Sequence, residues 1–245
     1  MIVAEQKPIE EIIRSLEGCQ GAPCQRDTCQ RDRSIDTKLK RLKNVAIAAC
    51  GTCVTVCMAG GEKEALKLAA VLELKSRENG HETAFKVITP KRQCDVEFLD
   101  DASEGFEDVD AILSMGCGAG VQFMAERFRG IPVLPGVNTK FIGVARDIGV
   151  WTEMCQGCGD CILEKTGGVC PVARCSKSNF NGPCGGSANG KCEISPETDC
   201  GWQLIYDRLK ELGRLDRMYE IIEPKDWRSS RDGGPRRVEK KEVRL

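Results

Sequence analysis

Sixteen cysteines are the chain's main stock of reactive side chains, and their spacing sorts them into three groups. Cys19, Cys24 and Cys29 come first; Cys50, Cys53, Cys57, Cys94 and Cys117 follow; Cys155, Cys158, Cys161, Cys170, Cys175, Cys184, Cys192 and Cys200 make up the third. So many thiols form either a disulfide scaffold or a set of metal ligands, and the redox compartment decides between them. The opening residues Met1–Glu10 break their apolar positions with Glu5, Lys7 and Glu10, which does not read as a secretory leader. No stretch approaches the roughly 18 apolar residues of a membrane span. The expectation is a cytoplasmic protein whose reduced thiols bind metal. His81 is the only histidine, so any zinc site should be all-thiolate. By itself His81 reads as a surface residue after the Asn79-Gly80 turn.

The third group is the most informative. Cys155-x-x-Cys158-x-x-Cys161 followed by Cys170-Pro171 resembles ferredoxin ligation, in which closely spaced thiolates wrap one cubane and a proline-flanked cysteine serves another. The gap between Cys161 and Cys170 is longer than in that pattern, so the match is partial. Its eight thiols suit two [4Fe–4S] clusters, or one cluster and a four-thiolate zinc. Gly157, Gly159, Gly167, Gly168, Gly185 and Gly186 allow turns and let backbone amides approach sulfur, a contact that raises a cluster's potential.

The second group must be positioned by regular elements. Val45–Ala49, Ala84–Ile88, Val109–Ser114 and Ile131–Leu134 are short apolar runs of the kind that become buried parallel strands. Between them Glu62–Arg77 carries Ala65, Leu66, Ala69, Leu72 and Leu74 at helical spacing, and Val121–Phe128 is a shorter helix. Strand alternating with helix predicts an α/β domain, Rossmann-like or flavodoxin-like, over residues 38–150. Cys50, Cys94 and Cys117 then follow successive strands, at the edge where open α/β sheets bind ligands. Cys50, Cys53, Cys57 and Cys117 are the preferred ligands of one cluster, with Cys94 as the substitute. A thioredoxin-type pair at Cys50 and Cys53 is the rival, but it leaves Cys57, Cys94 and Cys117 without a role. Met115-Gly116-Cys117-Gly118-Ala119-Gly120 is a weak phosphate-loop lookalike whose cysteine fits a ligand better.

Residues 151–228 form the expected cysteine-rich, metal-stapled domain, closed by a C-terminal helix over Leu204–Ile222 that breaks near Gly213. Such a turn-rich segment needs metal to fold. Residues 1–37 hold an initial helix and a cysteine-bearing polar insertion, whose trio Cys19, Cys24 and Cys29 is one ligand short of a site. Residues 229–245 read as a charged, solvated tail. The 36 basic and 37 acidic residues nearly cancel, which argues against nucleic acid as a partner. Two other classes stay open on the residues alone: a zinc-ribbon binding module, and a stand-alone cluster enzyme with an open iron site.

The stretches M-I-V-A-E-Q-K-P-I-E-E-I, C-G-T-C-V-T-V-C-M-A-G-G-E and C-G-D-C-I-L-E-K-T-G-G-V-C-P-V-A-R-C-S-K, with N-G-P-C-G-G and the closing P-K-D-W, resemble the MetV-type subunit of methylenetetrahydrofolate reductase, the C-terminal domain family of that reductase. The insertion carrying Cys19, Cys24 and Cys29 departs from the family pattern. The resemblance implies two [4Fe–4S] clusters, with a third on the remaining thiols as an extension, and an all-cysteine zinc. It also implies a MetF-type TIM-barrel partner that holds the flavin, FMN or FAD, and performs the folate chemistry of one-carbon metabolism in the Wood-Ljungdahl pathway. Electrons would come from ferredoxin or a larger redox assembly, and Pro224–Trp227 would offer one partner contact.

Overall fold

A computed structural model of the chain describes residues 1–18, 42–80 and 82–243. The expected ligands Cys19, Cys24 and Cys29, and His81, lie outside the described residues. The chain divides into two compact units, Met1–Lys140 and Phe141–Leu245.

The first unit opens with strand β1 (Ile2–Gln6) and helix α1 (Ile9–Gly18). It continues through β2 (Asn44–Ala48), α2 (Cys53–Val56), α3 (Glu62–Glu78), β3 (Ala84–Ile88), α4 (Val96–Asp100), β4 (Ala111–Ser114), α5 (Gly118–Arg127) and β5 (Val133–Pro135). Strands β2 to β5 form a parallel sheet in the order β3-β2-β4-β5, with Ile47 between Val87 and Leu113. The four apolar runs of the sequence are these strands. Their composition follows from position: Val45–Ala48 and Ala111–Ser114 are buried throughout, so they read as continuous apolar runs rather than as an alternation.

Helix α3 buries Ala65, Leu68, Ala69 and Leu72, one stripe of a 3.6-residue period. Leu66 and Leu74, expected on that stripe, are exposed, and Leu68 lies inside. Each residue turns about 100° from its neighbour, which carries Leu66 off the face that Ala65 occupies. Glu62 and Glu64 in the first turn and Lys75 and Arg77 in the last complement the helix dipole, and Gly80 beyond the Asn79 cap takes φ 71°. A core cluster joins Ala46, Ala48 and Ile112 of the sheet to Leu99 of α4, Phe106, and Met124 of α5. Phe106 also tilts against Phe128 with ring centroids 5.0 Å apart.

Strand β6 (Val137–Asp147) neighbours β1, where Lys140 reaches Glu5 at 2.9 Å. In the second unit β6 pairs antiparallel with β7 (Val150–Cys155), Val144 opposite Thr152. Neither β1 nor this hairpin follows from the apolar runs, because Thr139, Lys140 and Arg146 interrupt β6. Next come α6 (Pro171–Arg174), the small ladder β8 (Lys191–Cys192) and β9 (Ser195–Asp199), and α7 (Gly201–Glu211). Trp202, Ile205 and Leu209 of α7 are buried with Cys200, and Val169, Cys175, Leu215 and Met218 pack on them. The expected break at Gly213 is present, with φ 64°, and Leu212 just before it is exposed. Among the described residues no helix is long and apolar enough to cross a membrane.

Candidate metal centres

In the first unit the chain leaves β2 towards β3 on one side and leaves β4 towards β5 on the other. The crevice beyond the carboxyl ends of β2 and β4 is therefore the topological switch point, where open α/β sheets bind ligands. Cys50 lies just past β2, Cys53 starts α2, and Cys117 caps α5. The Cys50 amide donates to Gly60 O at 3.0 Å and Thr55 Oγ1 donates to Cys50 O at 2.7 Å, closing the loop on itself. A Cβ on Gly60 would collide with the Met115 carbonyl, so only glycine allows the two strand-end loops to approach this closely.

Gln93 organises the crevice, and nothing in its sequence context marks it. It is 1% exposed. Its Nε2 donates to Ala48 O at 2.7 Å and to Ala49 O at 2.8 Å, while its Oε1 accepts from Ser114 Oγ at 2.5 Å. The Ser114 oxygen in turn accepts the Gly116 amide at 3.2 Å. One buried amide thus ties the ends of β2 and β4 together and fixes the residue that follows it, Cys94. A Cβ on Gly116 would run into the Gln93 side chain, which accounts for a glycine of the phosphate-loop lookalike by packing.

Within this group Cys57 and Cys94 sit in different surroundings. Cys57 is buried; its thiol donates to Ala4 O and Val54 O at 3.6 Å each and accepts the Ala4 amide at 3.5 Å. Burial pushes its pKa up, opposed by the backbone at Ala4, Ala59 and Cys57 itself, with a small upward push from Cys53. Cys94 is exposed, and its pKa is raised first by partial desolvation and then by the charges of Cys117, Cys50 and Cys53. Cys94 thus senses Cys50, Cys53 and Cys117, while Cys57 senses Cys53 and has its thiol engaged with β1.

In the second unit the cysteines lie on the ends of short elements and on the loops between them. Cys155 ends β7, Cys170 caps α6, and α6 packs on β7. Gly157, at φ 62°, donates its amide to Cys155 Sγ at 3.3 Å, the amide-to-sulfur contact anticipated for these glycines. Lys225 Nζ donates to Cys158 Sγ at 3.4 Å. Gly201 sits against the Arg174-Cys175 backbone, which places Cys200 beside Cys175, and both belong to one core cluster. Cys192 Sγ lies 3.4 Å from Ser176 Oγ, within reach of the hydroxyl as a donor to the thiolate. Its pKa is lowered by that Ser176 contact first, then by backbone hydrogen bonds, and by Lys177. The loop bearing Cys184 is pinned at Gly182, where a Cβ would meet Trp202, and at Gly186, which abuts Glu193 next to Cys192. Asn181 secures the same loop by donating to Ile222 O at 2.9 Å and accepting the Ile222 amide at 2.8 Å.

As the side chains stand, no group of three His, Cys, Asp or Glu among the described residues is drawn together tightly enough to hold a metal ion. The donor chemistry nevertheless suits thiolate ligation: the thirteen described cysteines are all free. Residues 134–228 match the family of the methylene-tetrahydrofolate reductase C terminal. No curated protein and no solved structure matches the chain. The segment matched by the methylene-tetrahydrofolate reductase C-terminal family takes in all eight cysteines from Cys155 to Cys200 and ends just past Trp227. Cys50, Cys53, Cys94 and Cys117 lie before it.

Proposed function

We propose that the chain is the electron-relay subunit of a methylenetetrahydrofolate reductase, passing electrons to a flavin on a MetF-type partner that reduces 5,10-methylenetetrahydrofolate to 5-methyltetrahydrofolate. The observation that carries this reading is the coincidence of the matched reductase segment with the eight-thiol region. In this reading Cys50, Cys53, Cys94 and Cys117 hold one [4Fe–4S] cluster and Cys155, Cys158, Cys161 and Cys170 a second. Cys175, Cys184, Cys192 and Cys200 hold a third group, iron–sulfur or zinc. A cluster supplies a one-electron couple when bound. The chain's own residues position the sulfurs and set their surroundings: Gln93 locks the first set, the Gly157 amide bonds to the sulfur of Cys155, and Ser176 and Lys177 favour the thiolate at Cys192.

The test is anaerobic purification of the whole chain with iron, zinc and acid-labile sulfide analysis, flavin release and a turnover assay with and without a flavin-bearing barrel subunit. Brown, flavin-free protein that reduces the partner's flavin and is inactive alone is the expected result. Colourless, zinc-only protein would remove the relay reading; stoichiometric flavin or unaided turnover would make the chain an enzyme in its own right.

A further inference from the structure

The closing segment of the chain folds back on the loop that carries Cys155, Cys158 and Cys161. Ser229 Oγ donates to Cys158 O at 3.1 Å, and Arg236 donates to Gly157 O at 2.6 Å and to Ser229 O at 3.1 Å. Gly159, at φ 87°, lets the loop lie against Ser229 O, where any side chain would collide. Ser230 beside it is buried. A stretch whose composition reads as a solvated tail therefore begins as a strap over a ligand loop.

Lys225 stands at the head of this strap. Its side chain is 1% exposed. Nζ donates to Asp160 O at 2.5 Å and to Cys158 Sγ at 3.4 Å, and it lies 5.8 Å from the centroid of the Trp227 ring. Trp227 is held in turn by an edge-on contact with Phe180, centroids 5.6 Å apart. Asp160 Oδ2, at 4.0 Å, is the nearest carboxylate, and it is largely solvent-exposed. A long, flexible cation has been drawn out of solvent onto a sulfur, keeping only a long ion pair with the exposed Asp160 carboxylate of the same loop. Backbone capture by Asp160 O, ring contact with Trp227 and the sulfur bond are the compensations for its burial.

We propose that Lys225 is a potential-setting residue: its ammonium, bonded to Cys158 Sγ, favours the reduced form of the cluster held by Cys155, Cys158, Cys161 and Cys170. This rests on the assignment of an iron–sulfur cluster to that set. Reduction adds one electron to the cluster, and a fixed positive charge with an N–H bond to a ligand sulfur favours the more negative state. The strap holds the ammonium in place against that sulfur.

The experiment is a redox titration of the full chain, followed by electron paramagnetic resonance, on wild type, K225M and K225R, with iron and sulfide measured on each. Expected are unchanged iron, a fall of about tenfold or more in the electron affinity of one centre in K225M, about 59 mV for a one-electron couple, and recovery of most of it in K225R. Unchanged potential in K225M at unchanged iron overturns the role of Lys225 and leaves the cluster assignment standing. Wild-type protein with no reducible iron on this set overturns both. Should K225M lose its iron, K225Q and K225R carry the same comparison, since both are long polar chains and differ in charge. A lower potential in K225Q supports the proposal, and equal potentials overturn it.

Discussion

At the scale of single residues, Cys57 and Cys94 show how the same side chain takes different work from its surroundings. Cys57 is enclosed with its hydrogen bonds made to β1 and α2, whereas Cys94 follows a buried anchor, is exposed, and feels the charges of Cys117, Cys50 and Cys53. Cys94→Ser is expected to remove the centre of the first unit from the reduced spectrum, and Cys57→Ser to leave it; the reverse result would restore Cys57 to the ligand set. Burial raises the Cys57 pKa, so the folded state holds its proton more tightly than the unfolded chain does. The stability this thiol contributes is then full below its ordinary value of 9.0 and declines as pH rises past it. Urea titrations of wild type and Cys57→Ser at neutral pH and at higher pH should show their difference shrinking on the alkaline side. Gln93→Ala makes a sharper test of positioning. Ala48 O keeps the Met115 amide at 2.8 Å, but Ala49 O and Ser114 Oγ lose the partner that Gln93 gave them. Loss of stability of about 1–3 kcal/mol is expected, together with lower iron in the first unit even though no thiol has changed. Full iron at unchanged stability would reduce Gln93 to filler.

Among the elements, the parallel sheet and α3 carry the clearest signal in the sequence, for one physical reason. Strands buried on both faces must be apolar at every position, and a helix packed on them must repeat its apolar stripe, so Val45–Ala48, Ala111–Ser114 and the positions Ala65, Ala69 and Leu72 announce themselves. Strand β6 does not, because its mixed sequence is built for a half-exposed hairpin and leaves no apolar run. The cysteine-bearing loops were legible as spacing, but the neighbours of each thiol were not. Contacts such as Ser176 with Cys192 and Lys225 with Cys158 join residues far apart in the chain and obey no local period. Gln93 was invisible for a related reason: an amide becomes buried only where backbone groups converge to satisfy it, and that convergence is tertiary. The packing of α4 and α5 offers a test at this scale. Phe106 is fully buried between Leu99 and Met124, so Phe106→Ala should cost about 3–5 kcal/mol, read as a lower denaturation midpoint for the first unit. A change below about 1 kcal/mol would mean that the site collapses around the smaller side chain.

Across the whole molecule, the two units depend on different sources of stability. The first encloses a parallel sheet whose inner strands are buried throughout and whose helices contribute Leu68, Leu72, Leu99 and Met124, an ordinary apolar core. The second has a short apolar spine on α7, and much of its remaining chain is turns carrying exposed or half-buried cysteines. Its loops are held by a few polar clasps: Asn181 on Ile222, Trp202 Nε1 on Asn179 O at 2.8 Å, and Ser229 on Cys158. Such clasps are worth about 0.5–1.5 kcal/mol each, against about 1–2 kcal/mol for every ordered backbone residue, so they cannot order the turns unaided. Bound metal makes up the difference in small thiolate domains. Stripping metal from the whole chain with a chelator under reducing conditions should therefore act unevenly. Hydrogen exchange is expected to rise sharply across residues 155–199 while β2 and β4 keep their protection. Equal loss in both units would mean that the Cys50 set holds the first fold together as well. Unchanged protection everywhere would show that the turns of the second unit stand without metal, and would remove the ligand role from its cysteines.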